Sequence, residues 1–478
     1  MATAVDATPL GSAETFASLN FGAAALGHVG RTRRLVKSAA LIHQPPGGTL
    51  PQKFRDPADL DGFYRLANRK EVNHAVVLEP HRRRTLELMR QADGPVLTIH
   101  DTTELDSTGL TSLTGLGPIG KGTRRGYLCH NTLAVRADDG AVLGLASQIL
   151  ARRDDVPKGE RRQDRRDRAT RESRLWVKGS QAVGPAPEGK VWIDVCDRGA
   201  DACEYIEYKH KTAGHFIVRS SHDRNCRVAG KAARLHPLAR GLDPLGCKTV
   251  AVSAGEGRAA RRARVTIAAG AVEVVPPKQP RGEHGHDPIP LSVVAVREVD
   301  PPAGVDPLEW IILTDLPAHD LGAAATVAAW YARRPIVEEL HKGMKTGCGI
   351  ETLQFTTEAA LQPTIALLSV VAVFLRALRD AGRDPRRSAE PAAKYVPGWY
   401  VEVLSAWRHG GPRADWTVGE FDLALGRLGG HQNRKSDGPP GWLVLWRGWD
   451  TLHAMLAGAA AAARVWPRNQ REPPAALT

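Results

Sequence analysis

The spacing of apolar residues changes twice along the 478-residue chain, marking a helical stretch, a strand-rich stretch and a second helical stretch. Through about residue 75 the period is helical. "FGAAALGHVGRTRRLVKSAALIHQ" sets Leu26, Val29, Leu35 and Val36 among Arg31, Arg33, Arg34 and Lys37, a small helical module with a cationic side. "GFYRLANRK", with Arg65, extends it. Short apolar runs then predict strands: "PVLTIHDTTEL", with Asp101 at the end of its apolar part, and "GYLCHNTLAV" and "AVLGLASQIL" around the hairpin turn "RADDG". A charged tract, 152–174, with 10 basic and 6 acidic residues, leads to a helix near Trp176. "KVWIDVCDRGAD" is a buried strand ending at Asp197, a helix follows through "YIEYKHK", and "HFIVRSS" is a fifth strand.

The order is strand, strand, strand, helix, strand, helix, strand. With the first three antiparallel and the fourth returning beside the first through a crossover, this is an α/β fold with the topology of a ribonuclease H-like core. In that fold acids on the first and fourth strands meet, and Asp101 and Asp197 hold those places. The third acid belongs on a helix after the fifth strand. Here the alternating segments over 222–309 predict a β-rich insertion before that helix arrives. The predicted organisation is a helical domain over 1–75, a catalytic domain over 76–382 and a helical, Trp-rich domain over 383–478.

After the insertion comes "YARRPIVEELHKGMKTG". On a continuous helix, Tyr331, Arg334, Glu338 and Lys345 fall within about 60° of one another, a polar stripe that asks for a ligand rather than a core. Pro335 interrupts the pattern, so the helix kinks or restarts there.

Composition narrows the partners. A formal charge of +13 favours a polyanion, nucleic acid first. The six cysteines show no metal-like spacing and read as reduced thiols. "MATAVDATPL" lacks the pattern of a signal peptide, and the apolar run 365–375 is shorter than a bilayer span, so it reads as a buried helix. The expectation is a cytoplasmic protein with no membrane partner. His284 and His286 lie in a Gly/Pro-rich turn and receive no zinc assignment.

Asp101, Asp197 and Glu338 together make an oxygen-rich set suited to Mg²⁺, with Mn²⁺ as a substitute. Two such ions about 4 Å apart activate a water or 3′-hydroxyl and stabilise the leaving oxygen in phosphodiester displacement. Tyr331, Arg334 and Lys345 then read as phosphate holders. A lone aspartate ending a strand is more often a turn or a cap, and Glu338 with Lys345 alone is an ordinary exposed helix face; the argument lies in their combination.

These residues resemble the DDE transposases of bacterial insertion sequences, in particular the family with the signature Y-x2-R-x3-E-x6-K, which Tyr331, Arg334, Glu338 and Lys345 fit position for position. "CDRGAD" is similar to the family's DREAD motif, with Gly199 in place of its glutamate. The resemblance extends through "AALGHVGRTRRLV", "IVRSSH" and "RLGGHQNRKSDGPPGWLVLWRGW". It implies cut-and-paste transposition: cleavage of double-stranded transposon ends, a hairpin intermediate, joining to target DNA, and a homodimer built through the C-terminal tail. It also implies that Trp310 receives a flipped base, that Arg219 contacts phosphate, and that Arg31, Arg34 and Arg65 contact the end sequence. On the residues alone, Trp310 is equally a core residue of a strand, and the tail's tryptophans are equally intramolecular packing. The alternative function is a domesticated or inactive transposase-derived DNA-binding protein.

Overall fold

The computed structural model describes residues 12–44, 47–156, 159–161, 164, 168, 170–252, 260–277, 285, 287–434 and 437–465. Packing divides the chain into two compact units, one of Met1–Arg84, Leu110–Thr114 and Glu339–Thr478, the other of Thr85–Gly109 and Gly115–Glu338. The helical segments at the two ends of the chain therefore share one unit, where the sequence pattern suggested separate domains.

The helical unit begins with α1 (Ala13–Phe21), α2 (Val29–His43), α3 (Leu50–Phe54) and α4 (Pro57–Ala67); α5 (His74–Gln91) leads out of it. Local chemistry sets the starts. Ser12 caps α1 by accepting from the Thr15 amide at 3.2 Å, and Asp56 caps α4, with Pro57 in the first turn. On α2, Leu35, Ala39 and Ile42 recur at helical spacing and are buried, which leaves Arg33 and Lys37 on the other face.

All twelve strands of the sheet lie in the second unit. They are β1 (Val96–Asp106), β2 (Gly117–Pro118), β3 (Arg125–Arg136), β4 (Val142–Ala151), β5 (Trp192–Cys196) and β6 (His215–Arg219), then β7 (Asn225–Val228), β8 (Lys231–Arg234), β9 (Gly246–Val252), β10 (Arg261–Val274), β11 (Ile289–Glu298) and β12 (Glu309–Thr314). Its helices are α6 (Arg174–Val183), α7 (Cys203–Lys211), α8 (Leu235–Arg240), α9 (Leu321–Tyr331) and the start of α10 (Pro335–Lys342).

The anticipated order β1, β3, β4, α6, β5, α7, β6 is present. β1 pairs antiparallel with β3 and parallel with β5, and β6 is parallel to β5. β5 is buried along its whole length, as a central parallel strand must be, and α6 and α7 supply its connections. One detail differs from expectation. β1 runs five residues beyond Asp101, because its pairing with β3 continues to Asp106 after the pairing with β5 stops at His100. The β-rich insertion expected within the catalytic domain extends the main sheet itself. β12 pairs with the open edge of β6, and β11, β10, β7 and β8 follow outward in the same sheet.

The chain then returns to the helical unit with α11 (Glu358–Arg383), α12 (Gly398–His409), α13 (Val418–Leu428) and α14 (Trp442–Val465). The apolar run 365–375 is only the middle of α11, which with 26 residues is long and apolar enough to cross a bilayer. Its apolar window is 94% buried, however, and Phe374 packs edge-on against Phe16 and His43. An ion network anchors it: Arg379 forks onto Glu339 at 2.8 and 3.1 Å, and Arg376 pairs with Glu339 and, at 2.8 Å, with Asp380. In the tail, Trp446 and Trp449 are buried within the chain itself, while Trp399 and Trp407 are about half exposed, at 50% and 45%. None of the six cysteines forms a disulfide.

Candidate active site

The β1–β5 pairing brings the two aspartates together. His100 is opposite Cys196, so Asp101 and Asp197 follow side by side at the point where the parallel pairing ends. Asp101 accepts from the Thr102 amide at 2.8 Å. Asp197 caps the short 3₁₀ turn Arg198–Ala200 by accepting from the Gly199 amide at 2.9 Å. The departure at Gly199 has a steric reason: a β-carbon there would lie 2.5 Å from the Trp176 indole.

Glu338 arrives from α10. Pro335 begins that helix, while Tyr331 ends α9, so the sequence stripe is split between two helices. The intervening turn still sets Arg334 beside the acids. Its guanidinium lies 3.4 Å from Asp101 Oδ2 and donates to Glu338 Oε1 one turn further along α10. Arg334 is 18% exposed, and although burial opposes its charge, Glu338 and Asp101 outweigh it and raise its pKa.

The acids repel one another. Asp101 is pushed up to about 7, first by burial and then by the Asp197 charge, with Arg334 and the Thr102 amide only partly compensating. Asp197 is also raised, first by burial and then by the charges of Glu338 and Glu172, against the Gly199 amide and Arg334. As the side chains stand, no three His, Cys, Asp or Glu residues among the described ones are placed to hold a metal ion. Arg334 stands between Asp101 and Glu338. The donor chemistry nonetheless suits a hard divalent cation: the donors are all carboxylate oxygens, and their negative charge exceeds what one arginine neutralises.

Beside the acids lies an aromatic and cationic wall. Tyr331 packs edge-on against Trp310 with ring centres 5.1 Å apart and interacts with Arg219, whose Nη2 donates to the Glu309 carbonyl at 2.9 Å. Burial raises the Tyr331 pKa, so the phenol stays protonated. Arg219 lines a cavity of about 220 Å³ with Arg198, Ser220, Ser221, His236 and Arg240. Asp101, Asp197, Glu338, Arg334, Tyr331, Trp310 and Arg219 thus form one contiguous group. Lys345 belongs to the helical unit, in a π-helical turn over Gly343–Gly347, and pairs with Glu351 at 3.4 Å. The α-helical rotation used to place it with Glu338 does not continue through that turn.

Sequence reasoning missed the supports. Buried Asp194 on β5 accepts from Thr98 (2.6 Å), Tyr205 (2.9 Å) and Lys209 (3.0 Å), and the Lys209 charge, with the His100 contact, overcomes burial to keep it ionised. His100 and His130, both fully buried, stand 3.3 Å apart, and His130 reaches the Thr102 hydroxyl at 2.8 Å. Asp201 accepts from the Ser221 and His222 amides at 2.7 and 2.9 Å and pairs with Arg224, which fixes the loop after Arg219. Period-2 alternation marks such polar residues as interior but cannot say which strand faces them. His284 and His286 lie outside the described residues.

Residues 13–72 match the transposase DNA-binding family. That similarity supports a transposase, with DNA as its partner. The matched segment spans α1–α4 and contains Arg31, Arg34 and Arg65. All three are held by carboxylates: Arg31 by Glu71 at 3.1 Å, Arg34 by Asp59 at 2.8 Å, and Arg65 by Asp61 one turn away.

Proposed function

We propose that the chain is a cut-and-paste DNA transposase of the DDE type with a ribonuclease H-like core. The observation that carries this reading is the grouping of Asp101, Asp197 and Glu338, from three distant segments, around Arg334 and beside Trp310 and Tyr331. In this reading Asp101, Asp197 and Glu338 hold Mg²⁺, or Mn²⁺ in its place, probed as two ions per site. When bound, the metal supplies Lewis-acid activation of the attacking water or 3′-hydroxyl and neutralises the leaving oxygen.

The chain's own groups do the rest. Lys345, in the helical unit, contributes a point charge to the DNA backbone; Arg334 and Arg219 fork onto phosphate oxygens, and Tyr331 donates from its protonated hydroxyl. These contacts hold the scissile phosphodiester in line with its attacker. Trp310 presents an aromatic face to a base extruded as the hairpin forms, and Tyr331 braces its ring. Two protomers pair through the C-terminal helices, and the N-terminal helices bind the transposon ends, with Arg31, Arg34 and Arg65 on phosphate or base edges. The protein works in the cytoplasm, on the nucleoid.

The test is a labelled duplex carrying a short inverted repeat from DNA flanking the gene, incubated with protein, Mg²⁺ and a target plasmid. The expected products are a nick, a hairpin, a reopened blunt end and a joined plasmid. Specific binding of the repeat with no cleavage in Mg²⁺ or Mn²⁺ would instead mark an inactive, transposase-derived DNA-binding protein. Cutting without joining would mark a nuclease.

A further inference from the structure

Arg334 has two claims on it. As a phosphate holder its guanidinium should be available to DNA, yet it is spent on Asp101 and Glu338, the first and last of the three acids. The Asp101 half of the contact is not an ordinary surface pair, with Asp101 14% exposed and Arg334 18%, while Glu338 is 44% exposed. A guanidinium forked between two carboxylates takes up the lone pairs and the electrostatic place that a divalent cation would need. Among the described residues, no group of three ligating side chains is poised for a metal.

We infer that Arg334 keeps the acid cluster closed in the DNA-free protein and yields Asp101 and Glu338 to divalent cations when a DNA phosphate takes over its guanidinium. Arg334 is then a positioning residue that couples the two ligands. A phosphodiester accepts the same forked pair of N–H groups as a carboxylate, so the arginine changes partner without losing its hydrogen bonds. The freed carboxylates recover their loss by binding cations. Coupling of this kind is reciprocal: DNA raises metal affinity by the factor by which metal raises DNA affinity. It would keep a nuclease site from loading metal away from its substrate. The inference rests on the metal-site reading of the proposed function.

The experiment measures Mn²⁺ binding to the DNA-free full chain by the loss of the free-ion electron paramagnetic resonance signal. Wild type should bind weakly, and Arg334→Met should bind at least roughly tenfold more tightly, since one opposing charge has left the cluster. Adding Asp101→Asn to Arg334→Met should abolish that gain, which places the ion at the acids. Should Arg334→Met fail to fold by thermal melting, Arg334→Lys carries the same test. A single ammonium cannot fork onto both acids, so its Mn²⁺ affinity should rise severalfold over wild type. No gain in the variant that folds, or a gain indifferent to Asp101→Asn, overturns the inference. The two failures are distinguishable. Tight, Asp101-dependent Mn²⁺ binding by DNA-free wild type sinks the closure but leaves the metal site standing. Absence of Asp101-dependent binding in every protein, with or without DNA, sinks both.

Discussion

Glu338 and Glu339 are neighbours on α10, yet they belong to carboxylate clusters of opposite character. Glu339 and Asp380 face Arg376 and Arg379, acid matched to base, with forked hydrogen bonds and Trp442 beneath the Arg379 guanidinium at 5.6 Å. Glu338, Asp101 and Asp197 share one arginine, and two of these acids are pushed toward protonation. A matched cluster serves as a structural clamp: burial lowers the pKa of Arg376 and Arg379, and Asp380 works against that. A mismatched one is costly for the fold to maintain and makes sense where a ligand completes it.

The sharpest test of that contrast is activity. Asp101→Asn, Asp197→Asn or Glu338→Gln should each lower Mg²⁺-dependent cleavage of a labelled end by more than about a thousandfold. Binding of the same end in a gel shift should be nearly unchanged. If any of the three still cuts, the unmatched cluster is not the reaction centre. Arg379→Met should behave in the opposite way. It removes the forked hydrogen bonds to Glu339, which keeps Arg376, and should destabilise the helical unit by about 2 kcal/mol in urea denaturation. A loss below about 1 kcal/mol would mean the clamp is screened like a surface pair.

The pH dependence separates the clusters next. Folding raises the Asp101 pKa from 3.8 to about 7, so between those values the folded chain binds more proton than the unfolded one. This group's contribution to stability is therefore largest at low pH and declines as pH rises through that window. At pH 8, Asp101→Asn should be more stable than wild type by about 2 kcal/mol, part of the gain being offset by the lost contact with Arg334. The difference should vanish near pH 4, and a difference independent of pH would remove the argument from mutual repulsion. The smallest effect belongs to the cations of the DNA-binding segment. Arg34→Ala, which leaves Asp59 paired with Lys37, should weaken end binding by about 1 kcal/mol and lower the slope of log affinity against log salt by about one.

Much of the site was legible in the linear pattern because strand alternation and helix spacing are local properties. "IHDTTEL", "VCDRGAD" and "YARRPIVEEL" each announced an element and an acid within a few residues. Pro335 announced the restart of the helix, since a proline lacks the amide that a continuing helix would use. Lys345 was placed by extrapolating through residues that adopt a π-helical turn, whose packing against Trp442 and Trp446 at Gly343 and Gly347 comes from far along the chain. Likewise, the β-rich stretch was recognised as strands, but its membership of the main sheet depends on β12 meeting β6.

The amino-acid order determined which segments become helix or strand, which acids stand at the junctions and how basic the chain is, since propensity, periodicity and charge act over a few neighbours. Tertiary structure alone decided that Arg334 bridges Asp101 and Glu338, that Glu339 is clamped while Glu338 is not, and that both chain ends build one helical unit. Those outcomes depend on groups tens to hundreds of residues apart competing for the same partners, and local pattern carries no record of which competitor wins.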